Sequence, residues 1–106
     1  MTDQDKRLLT EFLGECWHEP DATYKPLTDD TFKCLKCQVI NARRLDFTDW
    51  RVVGRLIEKA EDVEVWYYYD GMEWCARVLE LETHSAKSPQ EAICAAVLAW
   101  LKEGGK

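Results

Sequence analysis

Cys16, His18, Cys34 and Cys37 are the residues of this chain best suited to chemistry: a Cys-x-His and a Cys-x-x-Cys separated by fifteen residues. Three thiolates and an imidazole form a ligand set that Zn²⁺ favours, whereas calcium and magnesium take oxygen donors. Each short arm can bend so that its two donors converge on one ion, and two arms from separate segments complete a tetrahedron. The expected cofactor is therefore zinc. With four protein ligands the ion would have no open position for water or substrate, so the motif predicts a staple and no reaction.

Other uses of these cysteines fit less well. A thioredoxin-like redox pair sits at a strand-to-helix turn, but Cys37 is followed by Gln38-Val39-Ile40-Asn41, which reads as extended chain and turn. A disulfide framework would leave one of the five cysteines unpaired, and no secretory signal is read at the start of the sequence. Cys75 and Cys94 fall in patterns typical of small buried residues. Lys33 and Lys36 flank the second arm and would offset the excess negative charge of three thiolates around one dication.

The elements that must position this site follow from periodicity. Residues 3–15 predict an amphipathic helix with Leu8, Leu9, Phe12 and Leu13 on one stripe, delivering Cys16 directly into the site. Residues 19–31 are rich in Pro, Asp and Thr and predict a loop that brings the two arms together. A second helix is expected from Thr48 or Asp49 to about Ala60, with Val53, Leu56, Ile57 and Ala60 inward. Asp70-Gly71, between two β-rich runs, predicts a hairpin with a type I′ turn. The register then pairs Tyr67 with Trp74, Val65 with Ala76 and Val63 with Val78 on a core face. Tyr68 with Glu73, Trp66 with Cys75 and Glu64 with Arg77 fall on the other face. Residues 83–87 read as a loop. Ser88-Pro89-Gln90-Glu91 forms a capping-box signature for a last helix to about Lys102, buried through Ile93, Ala96, Val97, Trp100 and Leu101 and ended by Gly104-Gly105.

The expected fold class is thus α+β: an antiparallel hairpin or sheet sandwiched by helices, with an N-terminal zinc-knuckle segment. The 106 residues make one domain, with 1–40 as helix plus knuckle and 41–106 as helix, β-hairpin and helix. At this length the core is small enough for a metal staple to matter. With no run of eighteen apolar residues and no targeting peptide, the expectation is a soluble protein of a reducing cytoplasm, without a membrane partner.

The formal net charge of -6 is all carried by residues 58–82, where eight acids face two bases. Three thiolates bound to one Zn²⁺ would bring the total to -7, which argues against binding a nucleic-acid backbone through a broad basic surface.

Cys16-Trp17-His18-Glu19, Lys33-Cys34-Leu35-Lys36-Cys37, Phe47-Thr48-Asp49-Trp50 with the helix through Leu56 and Ile57, and Ala86-Lys87-Ser88-Pro89-Gln90-Glu91-Ala92-Ile93-Cys94 resemble the small phage and prophage proteins of the phage ABA sandwich domain family. The resemblance spans about residues 16–101. It implies phage origin, a host-cell cytoplasmic location and a sheet between helices, but no catalytic residues. Family members commonly place Gly after the second knuckle cysteine, where this chain has Gln38.

No catalytic constellation accompanies these features. His84, the one histidine outside the metal motif, stands beside Ser85 with no Gly-x-Ser-x-Gly, phosphate loop or paired carboxylates. The chain is not expected to be an enzyme. Two functions remain: an interaction protein that binds a host or phage protein, as an anti-defence factor would, through Glu61, Asp62, Glu64, Trp66 and Tyr68; or a zinc module binding nucleic acid through Arg43, Arg44, Arg51 and Arg55.

Overall fold

The computed structural model describes residues 1–21, 32–40 and 42–104. Most of the loop expected at 19–31, together with Asn41 and Gly105, lies outside them. The chain is α+β, with three helices and a three-stranded antiparallel sheet in the order β1-β2-β3.

Helix α1 spans Asp3–Phe12 and opens on a capping box, in which Thr2 Oγ1 accepts from the Asp5 N–H and Asp5 accepts from the Thr2 N–H. It ends three residues before the expected position. Gly14 adopts φ 79, the Gly14 N–H donates to the Glu11 carbonyl, and the Glu15 N–H donates to the Thr10 carbonyl. This is a Schellman end, for which a left-handed glycine is the usual residue. The chain thus leaves the helix axis before it reaches Cys16.

Helix α2 (Trp50–Lys59) starts at Asp49, whose carboxylate accepts from the Arg51 N–H at 2.8 Å, and buries Val53 and Leu56. Helix α3 (Pro89–Lys102) has Ser88 at its N-cap, accepting from the Glu91 N–H, and Pro89 in its first turn.

The hairpin pairs β1 (Val63–Tyr68) with β2 (Glu73–Val78) in the expected register, including Tyr67 with Trp74 and Glu64 with Arg77. The turn itself differs. Neither Asp70 nor Gly71 has positive φ; the left-handed residue is Met72, at φ 53, whose N–H donates to the Tyr69 carbonyl. A four-residue loop replaces the type I′ turn, and it preserves the register because Tyr69 still faces Met72. Residues 83–87 are not simply a loop: β3 (His84–Ala86) pairs with β2, setting Trp74 against Ala86 and Ala76 against His84.

Helix α3 is central. It packs on all three strands and touches α1 and α2, and Ala92, Ile93, Cys94, Ala96, Val97, Leu98 and Trp100 are all buried. Burial on more than one side explains why its sequence is apolar nearly all round. The alanines let the helix approach the sheet, where Ala76 and Val78 are buried, while Leu9, Leu13, Val53 and Leu56 close the core from the other helices. Phe12 meets Trp100 edge to face at 5.6 Å, a geometry that aromatic pairs favour. No helix of the described residues is long and apolar enough to cross a membrane.

Candidate metal centre

The two arms are zipped together by backbone. The Leu35 N–H donates to the Glu19 carbonyl and the Asp21 N–H to the Lys33 carbonyl, both at 2.9 Å, around a bridge between Pro20 and Cys34. A second bridge joins Phe32 to Ala42. Lys36 also reaches Glu19 at 3.3 Å, tying the arms by charge.

Cys34 and Cys37 lie on a tight turn in which the Cys34 N–H donates to the Val39 carbonyl and the Gln38 N–H to the Cys34 carbonyl. Gln38 takes φ 64, a conformation that costs a non-glycine residue about 1–2 kcal/mol. Its side chain compensates in part, donating from Nε2 to the Leu35 carbonyl at 2.9 Å. The turn therefore keeps a left-handed position after the second cysteine even though the residue there is not glycine.

These arms bring Cys16, His18, Cys34 and Cys37 into one cluster, with all four ligand atoms within 4.8 Å of one another. Cys16 Sγ lies 3.8 Å from Cys34 Sγ, and Cys37 Sγ lies 3.4 Å from His18 Nδ1. A tetrahedral ion with bonds of about 2.3 Å to sulfur and about 2.0–2.1 Å to nitrogen has S···S edges of about 3.8 Å and S···N edges of about 3.6 Å. These two separations already match those edges. The four donors can thus hold a metal ion.

The electrostatics of the protein alone point the same way. Burial pushes the Cys34 thiol up, but hydrogen bonds from the Cys37 backbone, the His18 ring and the Glu19 and Lys36 backbones outweigh it and bring the group down to about 5. Cys16 is raised to about 11, by desolvation first and then by Cys34 and Cys37. One thiolate is stabilised by N–H groups while its neighbour Cys16 resists ionisation, a conflict that a bound dication relieves.

Sequence reasoning missed the clamp behind the site. Arg44 stacks on the buried Trp17 ring, 3.9 Å from its centroid, and donates from Nε to the His18 carbonyl at 3.0 Å. The Trp between two ligands was the available signal. Of the other arginines proposed for nucleic acid, Arg51 pairs with Asp49 and Arg55 with Glu15, each at 2.9 Å.

The residues expected to meet a partner are elsewhere. Glu61 and Asp62 are exposed just before β1; Glu64, Trp66 and Tyr68 share one strand face, with Glu64 and Tyr68 exposed and Trp66 half-buried. Arg77 spans this face, bonding Glu64 at 3.1 Å and lying 5.8 Å over the Trp66 ring. The hairpin tip adds Tyr69 and Met72, 81% and 76% exposed, which the sequence reading did not single out. His84 lies on the core side of β3, its Nε2 buried without a hydrogen-bond partner among the described residues. No family model, curated protein or solved structure matches the chain.

Proposed function

We propose that this chain is a small zinc-stabilised phage accessory protein that acts by binding another protein, and that the partner is a host defence or nucleic-acid-processing enzyme which it inhibits. The carrying observation is the exposed hairpin, where Glu61, Asp62, Glu64, Tyr68, Tyr69 and Met72 present acids and apolar rings together. Charge of one sign beside large exposed rings suits a basic protein surface. Phage origin rests on the resemblance of the Cys-Trp-His-Glu head, the Cys-x-x-Cys arm and the Ser-Pro-Gln-Glu helix start to phage ABA sandwich proteins. In this reading zinc is structural, because its four protein ligands leave no position for a reacting group, and the chain is not an enzyme. The nucleic-acid reading loses support because Arg44, Arg51 and Arg55 are already engaged within the chain.

Protein purified without chelators should carry about one zinc per chain by elemental analysis. Combined reversal of Glu61, Asp62 and Glu64 to Lys should leave melting nearly unchanged and weaken capture of the host partner at least tenfold at low salt, where screening is least. Undiminished capture by the reversed protein, or retention of wild type on heparin rather than an anion exchanger, refutes the reading.

A further inference from the structure

β1 is an edge strand, with β2 as its one neighbour in the sheet. Among the described residues no backbone hydrogen bond reaches β1 from outside the sheet. Natural proteins blunt such edges with Pro, Lys, bulges or very short strands. β1 has six residues, Val-Glu-Val-Trp-Tyr-Tyr, with a single charge, Glu64, and no Pro, Lys or bulge. Val65 is 41% exposed even though its face of the sheet carries α3, so the outer margin of that face is open as well.

We infer that this edge takes a fourth strand: an extended segment of the partner in which Lys or Arg alternates with apolar residues. The inference rests on the interaction reading above and specifies its mode. Backbone pairing along β1 would supply affinity, and the two-residue alternation would supply specificity. On the α3 side, apolar residues of the incoming strand extend the row of Val63 and Val65. On the opposite side, its cations meet Glu64 and the rings of Trp66 and Tyr68. Trp66 already has a guanidinium above it, that of Arg77. Charge selects the occupant. Glu61 and Asp62 stand at one end of β1 and Asp70 and Glu73 at the other, so a second copy pairing along this edge would bring acids against acids, whereas a basic strand is attracted.

The probe is a synthetic decapeptide of alternating Lys and Val, compared with two versions that are N-methylated at alternate residues, in one register or the other. A strand uses the N–H groups of only one parity toward its neighbour. The unmodified peptide should slow exchange of the β1 amides that point away from β2. One methylated peptide should bind within threefold of the parent and the other at least tenfold more weakly. If both methylated peptides bind as well as the parent, the hairpin docks by charge alone: the strand-addition mode is overturned while the interaction reading stands. Absence of binding by the parent peptide, protection elsewhere than β1, or concentration-dependent dimerisation through β1 without peptide also overturns the mode. If charge reversal at Glu61, Asp62 and Glu64 leaves capture of the native partner unchanged, the underlying reading fails instead.

Discussion

Removing the ion, by a chelator or through Cys34→Ser, is expected to open the segment that carries the ligands and to leave the rest of the fold standing. That segment buries Trp17, Cys34 and Ala42, and none of the three belongs to the core formed by α1, α2, the sheet and α3. Burying Trp17 contributes about 4–6 kcal/mol by area, and a cation–π contact such as that of Arg44 about 0.5–1 kcal/mol. Coupled metal binding contributes on the order of 10 kcal/mol. A bound ion would be the largest favourable contribution, and without it the segment should not stay closed. The core loses little beyond the surface pair Arg55–Glu15, worth about 0.2–1 kcal/mol. A loss of about 1 kcal/mol lowers the melting midpoint of a domain this size by about 4–8 °C. Hydrogen exchange on loaded and chelated protein, alongside thermal melts, reads both effects. The Leu35, Gln38 and Ala42 amides, which are hydrogen-bonded in the closed segment, should exchange like free chain in the chelated protein, while α3 and β2 stay protected. Simultaneous loss of α3 protection, or a midpoint drop beyond about 20 °C, refutes the separation of segment and core.

Cys16, raised to about 11 in the closed segment, must release a proton when the ion binds. Metal affinity should therefore rise with pH up to about 11, with proton release visible by calorimetry in buffers of different ionisation enthalpy; pH-independent affinity would contradict this. At Gln38, φ 64 makes Gln38→Gly nearly neutral, since relief of strain offsets the lost side-chain bond to Leu35 and the added flexibility. Gln38→Val, with a β-branched side chain at positive φ, should cost at least tenfold in metal affinity, and equal affinities for the two variants would show that the left-handed turn does not matter.

The ligand cluster was legible because each arm is short and carries both of its donors, so local geometry nearly determines the site. The strand register was legible because alternation and a central Asp-Gly leave one pairing that puts Ala76 and Val78 inward. What escaped was tertiary. β3 is three residues long, and His84-Ser85-Ala86 becomes a strand because β2 offers it an edge, a fact with no local signature. The Schellman end at Gly14 was readable, but the apolar stripe through Leu13 hid it. The left-handed Met72 and the stacking of Arg44 on Trp17 each depend on a neighbour that the sequence does not place. For the exposed hairpin tip, the sequence supplied the aromatic residues without showing that Tyr69 and Met72 project beyond every covering element.

The position of α3 in the chain also sets the order in which structure can form. The helix that the three strands and the other two helices all contact is the last of the elements to leave the ribosome. Until then the inner face of the sheet has nothing to lie against, and a hairpin on its own is marginal in water. A nascent chain that stops short of Ile93 would thus hold two short helices, an uncovered Val-Trp-Tyr edge and a metal-ready loop without a core. During synthesis the ligand segment, whose donors all precede residue 38, can close on its ion before the rest has folded. That segment can then wait as a finished piece while the remainder is made.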